Sequence, residues 1–304
     1  MRRCLQLANC GKGFTAPNPM VGAVIINNDK IIGEGFHAEY GGPHAEVQAI
    51  ISVKDKKLFK SSTLYVNLEP CSHYGKTPPC VDLILEKQIP RVIIGHEDPF
   101  PEVAGKGIKK LREAGVDVVC GVLEEECKEL NKRYLTYLLQ HRPYIILKWA
   151  QSFDGFMDTR REENDGNPPV KFSNPFTQML VHKTRAEESA IMIGTRTLRL
   201  DKPALTVRLW KGNNPEKIIA DSRQSLIQQM QSLYSRKIQS LMVEGGAELL
   251  QSFLNENLWD EIHIEIAPIL LKEGVAAPIP KGILLSVQKC ENSMIFHYKN
   301  GYNS

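Results

Sequence analysis

A short stretch of this chain gathers the residue types of a zinc site with its own acid/base group. His44 and Glu46 lie in PHAEVQAI, Cys71 follows a strand-like run, and Cys80 ends the segment CSHYGKTPPC. A catalytic zinc ion takes three protein ligands and leaves one position for water, whereas a structural zinc ion is usually closed by four. One histidine and two cysteines, without a CxxC pair, therefore predict a catalytic site.

Glu46 lies two residues after His44, where it would rarely bind the same ion. We therefore interpret it as a general acid/base acting on the attacking water. This order of residues follows the H-x-E and P-C signature of zinc nucleobase deaminases. A lone HAE tripeptide is more often an incidental histidine, so the hypothesis depends on the joint pattern.

The flanking sequence predicts how these residues are held. Apolar spacing in PHAEVQAIISV predicts a helix with His44 and Glu46 in its first turn. PPCVDLILEKQI predicts a second helix with Pro79 at its first position and Cys80 beside it. Both helix N-termini would favour thiolates, which zinc binding requires. Cys71 is predicted in the loop just past a strand.

Length and composition favour a two-domain metabolic enzyme. The 304 residues include 38 basic and 35 acidic side chains, and this balance gives no support to a nucleic-acid surface. Seven scattered cysteines lack disulfide spacing and predict a reducing cytoplasm. No stretch approaches the ~18 uncharged apolar residues that span a bilayer. The N-terminus predicts a helix rather than a signal peptide.

Strands and helices alternate along both halves of the chain, which predicts layered α/β folds. VGAVIIN and KIIGEGF predict a hairpin around residues 27–29. One helical stretch, EEECKELNKRYLTYLLQHR, is predicted to end at Pro143, and YIILKWAQSF restarts as a strand. We therefore predict domains at residues 1–142 and 143–304.

Several motifs, taken in order, resemble the RibD family of bifunctional riboflavin-biosynthesis proteins. They are APNPMVGAVI, GEGFH, PHAEV, LEPCSHYGKTPPC, LKWAQSFDG, DKPALTVR and VEGGAELLQSFL. The long separation of the cysteines in CSHYGKTPPC differs from the CxxC of cytidine and tRNA deaminases. The resemblance implies a cytidine-deaminase-like three-layer αβα domain followed by a dihydrofolate-reductase-like α/β domain.

The same resemblance implies two reactions. At a Zn²⁺ ion held by His44, Cys71 and Cys80, 2,5-diamino-6-(5-phosphoribosylamino)pyrimidin-4(3H)-one would lose its 2-amino group, with Glu46 moving the protons. NADPH would then transfer hydride to the sugar and convert the ribosyl group to ribityl.

Binding residues also follow from the resemblance. The NADPH positions are Ala150, Thr197, Asp201, Ser222, Gly246 and Ala247. The substrate positions are Asn18, Lys148, Arg185, Leu205, Arg208 and Glu244. Arg185 and Arg208 suit a phosphate because guanidinium groups are planar bidentate donors. Without the family match, the turn Gly245-Gly246 would be an ordinary strand-to-helix connection.

Other residues near the zinc pattern leave alternatives open. Asn18 is either a pyrimidine ligand or part of an Asn-Pro turn. His73, Lys76 and Thr77 could hold the ribose phosphate or be solvated loop residues. We interpret His37, a single histidine near an apolar strand, as structural.

Two departures from the family pattern concern the second half. PVKFSN places Pro169 and Lys171 where relatives carry a tryptophan, and DSRQSL runs almost directly into IQQMQSLYSRK, as if the domain were shortened near 225–228. A deaminase with a non-catalytic reductase domain is therefore one alternative, and a zinc-stabilised nucleic-acid-binding or tRNA-editing protein is another. The leading hypothesis predicts a homo-oligomer acting on a small molecule, without nucleic-acid or membrane partners.

Overall fold

The chain divides into two compact units, Met1–Gln140 and His141–Ser304. A computed structural model describes residues 1–74, 78–163 and 166–301, so Lys76 and Thr77 lie outside the described residues. Arg142 belongs to the second unit, where its Nη1 forms an ion pair with Asp260 Oδ2 at 2.6 Å. Within the described ranges, no helix is both long and apolar enough to cross a membrane.

The first unit is built on a five-stranded sheet with helices on both faces. Its strands are β1 (Gly22–Asn27), β2 (Lys30–Phe36), β3 (Thr63–Val66), β4 (Arg91–Ile94) and β5 (Asp117–Cys120). Its helices are α1 (Arg2–Asn9), α2 (Ala45–Ser52), α3 (Cys80–Glu86), α4 (Lys106–Glu113), α5 (Glu124–Leu130) and α6 (Lys132–Gln140), with a 3₁₀ helix at Lys56–Ser61.

The strand order β2-β1-β3-β4-β5 combines the predicted hairpin with three parallel strands. Asn28 and Asp29 turn the hairpin with φ of 47° and 59°, a conformation these two residue types tolerate. Helices α2, α3 and α4 pack their apolar side chains on one face of the sheet. Helix α1 covers the other face, where Gly22 lets the backbone of Cys4 approach closely. The predicted three-layer αβα arrangement is therefore confirmed.

The single long helix predicted before Pro143 is wrong, because Asn131 interrupts it between α5 and α6. The Asn131 side chain is 1% exposed and turns inward to the segment that precedes β1. Its amide accepts from the Met20 N–H at 2.8 Å and donates to the Met20 carbonyl at 2.9 Å. A tertiary contact thus overrides the helical sequence pattern.

The second unit contains a seven-stranded sheet and a small two-stranded one. Its strands are β6 (Tyr144–Ser152), β7 (Phe156–Asp158), β8 (Ala190–Ile193), β9 (Glu216–Ile219), β10 (Ser240–Val243), β11 (Glu261–Ala267), β12 (Val275–Ala276), β13 (Ile283–Cys290) and β14 (Ser293–Lys299). Its helices are α7 (Pro175–Glu187), α8 (Thr195–Asp201), α9 (Leu226–Ser235) and α10 (Ala247–Asn255).

The large sheet has the order β13-β14-β11-β6-β10-β8-β9, and the five strands from β11 to β9 are parallel. One face packs against α9 and α10 in the main core of this unit. Parallel strands end at the same edge of a sheet, and ligands of α/β proteins bind outside that edge. The residues that follow β8, β9 and β10 are therefore the ones in position to meet a ligand.

Candidate active sites

The three predicted zinc ligands converge in the first unit. His44 Nδ1 lies 3.6 Å from the Cys71 sulfur and 3.3 Å from the Cys80 sulfur. In the described part of the chain, this is the one group of three or more metal-ligating side chains whose donor atoms all lie within 4.8 Å of one another. Tetrahedral zinc with usual bond lengths places nitrogen and sulfur ligands roughly 3.6 Å apart, so the donor set fits the ion.

Two of the ligands sit at helix starts, each displaced by one residue from the prediction. His44 is the N-cap of α2 rather than part of its first turn, and Pro79 is the N-cap of α3, which makes Cys80 its first residue. The Cys80 N–H donates to the Cys71 sulfur at 3.3 Å. Hydrogen bonds from the Cys80 thiol, and then from His44, lower the pKa of Cys71 to about 4 against the effect of burial. Cys71 is thereby held as the thiolate that zinc binds.

Glu46 is buried beside the ligands, with 3% of its surface exposed. Burial, followed by the nearby Cys71 sulfur, raises the pKa of Glu46 to about 7. A carboxyl group with a pKa near the working pH exchanges protons most effectively in both directions. Its environment therefore suits the acid/base role that the sequence predicts.

His37 makes a contact with Asn18 that the sequence interpretation missed. Its Nδ1 lies 3.0 Å from the Pro43 carbonyl, which can only accept a hydrogen bond. Burial lowers the pKa of His37, so the ring is neutral at pH 7 and its Nε2 accepts from the Asn18 amide nitrogen at 3.0 Å. This hydrogen bond uses the Asn18 amide nitrogen and not its carbonyl oxygen. The motif GEGFH contains His37 but carries no signal for this contact.

Buried polar side chains fix the backbone around the site. Asn67 donates to the Met20 carbonyl at 3.0 Å, the same carbonyl that Asn131 holds. Glu69 accepts four backbone N–H groups at 2.8 to 3.3 Å, from residues 98, 105, 107 and 108. These contacts secure the chain after Asn18 and before Cys71. Sequence reasoning missed Asn67 and Glu69, because their partners are distant backbone groups.

In the second unit, Arg185 near the end of α7 meets Glu244 just after β10. The guanidinium donates through two nitrogens to both carboxylate oxygens, at 2.8 and 2.6 Å. Burial would raise the pKa of Glu244, but the hydrogen bonds and charge of Arg185, followed by the charge of Lys148, lower it overall. Three predicted substrate positions therefore lie close enough to interact.

The loop after α8 brings the other two reductase substrate positions toward Arg185. Arg185 Nη1 donates to the Thr206 carbonyl at 3.4 Å, and the Arg208 N–H donates to His182 Nδ1 at 3.1 Å. Leu205 is buried with a φ of 51°, a strained value for a leucine. Arg208 itself is exposed.

Five of the predicted NADPH positions lie at the edge where the parallel strands end. A side chain on Gly246 would meet the Thr197 hydroxyl at 3.3 Å, so the two chain segments approach closely. Gly246 and Ala247 begin α10, and Asp201 ends α8. Thr195 contacts the Ala220 carbonyl, two residues before Ser222. The sixth predicted NADPH position, Ala150, lies near the carboxyl end of β6, where it is the strand neighbour of Glu265 in β11.

One of the two departures from the family pattern falls in an irregular segment, and the other falls at the start of a helix. Pro169 and Lys171 are exposed, outside any helix or strand. The predicted shortening adjoins α9, which begins at Leu226 behind a capping box of Ser225 and Gln228. Strand β9 is an edge strand of the sheet.

Comparison with protein families matches both halves of the chain. A family described as the cytidine and deoxycytidylate deaminase zinc-binding region matches residues 1–96. The RibD C-terminal domain matches residues 143–231 and 225–302, in two segments that overlap at residues 225–231, around the start of α9.

Individual proteins match over most of the chain. The riboflavin biosynthesis protein RibD of Aquifex aeolicus is 38% identical, over 91% of this chain and 88% of its own length. RibD of Escherichia coli is 34% identical, over 89% and 87%. The Aquifex alignment runs over 320 residues, more than the 304 of this chain, so that relative carries segments that this chain lacks.

Solved structures show the same architecture. A diaminohydroxyphosphoribosylaminopyrimidine deaminase/5-amino-6-(5-phosphoribosylamino)uracil reductase from Thermotoga maritima superposes with a TM-score of 0.90 at 33% identity, covering 99% of this chain and 97% of the other. RibD of Acinetobacter baumannii superposes with a TM-score of 0.89 at 29% identity, covering 98% and 97%. Both predicted fold classes are confirmed by these matches.

Proposed function

This chain belongs to the RibD family of riboflavin-biosynthesis proteins, and we propose that its first unit deaminates a phosphoribosylaminopyrimidine and its second unit reduces the product. It is a bifunctional enzyme that uses zinc and NADPH. The observation that carries the proposal is the convergence of His44, Cys71 and Cys80 beside the buried Glu46.

In the first unit, His44, Cys71 and Cys80 would hold zinc. The bound ion would be a Lewis acid that makes water nucleophilic near pH 7. Glu46 takes a proton from the attacking water and delivers it to the ring nitrogen of the substrate. It then assists the departure of ammonia, so it serves as base and acid in turn. Asn18, held by His37, accepts a hydrogen bond from the pyrimidine. The substrate is 2,5-diamino-6-(5-phosphoribosylamino)pyrimidin-4(3H)-one.

In the second unit, NADPH supplies the hydride that converts the ribosyl group to ribityl. Thr197, Asp201, Ser222, Gly246 and Ala247 would bind the cofactor with Ala150, because the start of α10 presents backbone N–H groups to an anion. Arg185, Leu205, Arg208 and Glu244 would bind the phosphoribosyl substrate, and Lys148 would lie near the reacting sugar. The Arg185–Glu244 ion pair orients both side chains.

Two separate assays test this proposal. Ammonia release from the diaminopyrimidine measures the first unit, and NADPH oxidation with the deaminated product measures the second. A zinc chelator should stop the first reaction and leave the second at its full rate. No NADPH oxidation by a chain with an intact deaminase would instead support a non-catalytic reductase domain, the alternative that the predicted shortening near residues 225–228 raises.

We also propose a cytoplasmic homo-oligomer. All seven cysteines are free, which suits a reducing compartment. The edge strand β13 exposes Ile283, Leu284 and Leu285 by 60%, 47% and 56%, an apolar edge that a second copy of the chain would cover. Light scattering of the wild-type chain and of Leu284→Lys tests this, since a monomeric wild type would refute it. The net charge of +3 supports the absence of a nucleic-acid partner.

A further inference from the structure

Two ion pairs join the segment after β7 to helix α8, and they differ sharply in burial. Arg161 Nη2 donates to Asp201 Oδ1 at 2.6 Å, and the arginine side chain is 5% exposed. Arg199 pairs with Glu163 at 2.9 Å, but these side chains are 58% and 50% exposed. Exposed ion pairs contribute little, whereas a buried pair imposes a defined geometry on both partners. Arg161 is therefore the connection that fixes the end of α8.

Arg161 also holds a second carboxylate. Its Nε donates to Asp158 Oδ2 at 2.8 Å, and its Nη1 donates to the Asn167 carbonyl at 3.4 Å. Asp158 Oδ1 accepts in turn from the Val170 N–H at 3.1 Å. Burial would lower the pKa of Arg161, but the hydrogen bonds to Asp201 and Asp158 raise it overall, so the guanidinium stays charged. Arg161 thus connects two carboxylates, those of Asp158 and Asp201, with the backbone of the segment that follows β7.

The Asp201 carboxylate is held through one oxygen. Its Oδ1 accepts from Arg161, and within the described ranges no hydrogen bond engages its Oδ2, while the side chain is 27% exposed. Helix α8 also presents Thr197, whose hydroxyl lies against Gly246. Asp201 lies four residues after Thr197 on the same helix, so a carboxylate oxygen that Arg161 holds there suits the hydroxyl and amide donors of a dinucleotide.

We propose that Arg161 is a positioning residue for NADPH, which directs the free oxygen of Asp201 toward the cofactor. The positive charge of Arg161 also lowers the net negative charge around Asp158 and Asp201 from two to one. A smaller negative charge repels the cofactor phosphates less. This inference rests on the proposed function, which assigns Asp201 to NADPH.

Arg161→Met in the full-length chain tests the role of the arginine. NADPH affinity is measured by the quenching or enhancement of NADPH fluorescence, alongside the Tm and the deaminase rate. We expect NADPH to bind about tenfold more weakly or worse, as the loss of an oriented charged hydrogen bond predicts. Arg161→Lys, which keeps the charge but not the planar fork, should show a smaller loss. The matched control Arg199→Met, at the exposed pair on the same helix, should bind NADPH within about twofold of wild type.

Asp201→Asn separates failure of this inference from failure of the proposed function. If that variant binds NADPH normally, the assignment of Asp201 to the cofactor is wrong. If Asp201→Asn weakens binding but Arg161→Met does not, Arg161 has no positioning role. A lower Tm with unchanged NADPH affinity would mean that Arg161 is purely structural, which overturns the proposal. Should Arg161→Met fail to fold, Arg161→Lys decides, and unchanged NADPH affinity in that variant also overturns it.

Discussion

The two candidate sites are assembled in opposite ways. The zinc ligands and Glu46 come from residues 44–80, and two of the ligands lie at the starts of neighbouring helices. The reductase positions run from Lys148 to Ala247 and lie on β6, α7, α8, α10 and the loops between them. The first site is therefore a local structure that a short sequence signature can specify. The second exists only when the whole sheet has formed.

This difference teaches what each site tolerates. A local site depends on a few side chains, so a single substitution should remove its chemistry without disturbing the fold. A dispersed site depends on ion pairs that also hold the fold, so substitutions there should change stability and binding together. Four experiments test this contrast, from the largest expected effect to the smallest.

Glu46→Gln should reduce the deaminase rate by about 10²- to 10⁴-fold, because the amide cannot shuttle protons. Zinc content should stay at about one ion per chain, since the three ligands are intact. Ammonia release and elemental analysis measure the two quantities, and NADPH oxidation should be unchanged. Glu39→Gln, at an exposed glutamate of the same unit, is the control. An active Glu46→Gln enzyme would refute the assigned role.

Arg185→Met should lower the free energy of unfolding of the second unit by about 3–5 kcal/mol, because it leaves the buried Glu244 charge without its partner. Reductase activity should also be lost, whereas ammonia release should persist. Chemical denaturation followed by hydrogen exchange measures the stability of each unit.

The double variant Arg185→Met/Glu244→Gln sharpens this test. Removing both charges should restore most of the stability without restoring reduction, which separates the structural role of the pair from its role in binding. Arg223→Met, with 87% of its side chain exposed, should cost almost nothing. A double variant as unstable as the single one would contradict the interpretation.

His37→Leu should raise the KM of deamination about five- to tenfold with a smaller change in kcat, because Asn18 loses the acceptor that orients its amide. Steady-state kinetics on the diaminopyrimidine measure both constants. His141→Leu, in the second unit, serves as the matched histidine control. A fall in kcat alone would point to a direct role in the reaction instead of positioning.

Asp98 in the first unit and Glu244 in the second should contribute to stability with opposite dependence on pH. Burial raises the pKa of Asp98 to about 6, so this group stabilises the first unit most below pH ~4, and its contribution is lost as the pH rises toward 6. Glu244 has a lowered pKa, so its contribution is present above pH ~4 and is lost on further acidification. Asp98→Asn should flatten the slope of unfolding free energy between pH 4 and 6, by about 1–2 kcal/mol in all. Urea denaturation at pH 4 and at pH 6 measures this change in unfolding free energy. An unchanged slope in Asp98→Asn would exclude Asp98 as the source of the pH dependence.

The sequence predicts local features of the fold well and contacts between distant residues poorly. The hairpin at Asn28 and Asp29 and the starts of the helices at His44 and Cys80 were predictable to within one residue, because turn chemistry and helix starts are local properties. The break at Asn131 was not predictable, since its partner Met20 lies 111 residues earlier in the chain. Local propensity alone favours one continuous helix there.

The reductase positions could be assigned only through family resemblance. The pair of Arg185 and Glu244 spans 59 residues, and neither side chain stands in a pattern that indicates the other. Arg161 was missed altogether, since nothing in the letters marks an arginine whose partners are Asp158 and Asp201. Spatial neighbours brought together by a parallel sheet leave no spacing rule in the sequence.

The hydrogen bonds to the backbone of Met20 have a consequence for the order in which parts of the first unit can become rigid. Its carbonyl accepts from Asn67 and Asn131, and its N–H donates to Asn131. During synthesis the N-terminal segment emerges first, so the turn that bears Asn18 cannot be locked until Asn131 has left the ribosome. The zinc ligands are all synthesised before that point. A nascent chain should therefore acquire its metal-binding residues before the turn that bears Asn18 becomes rigid.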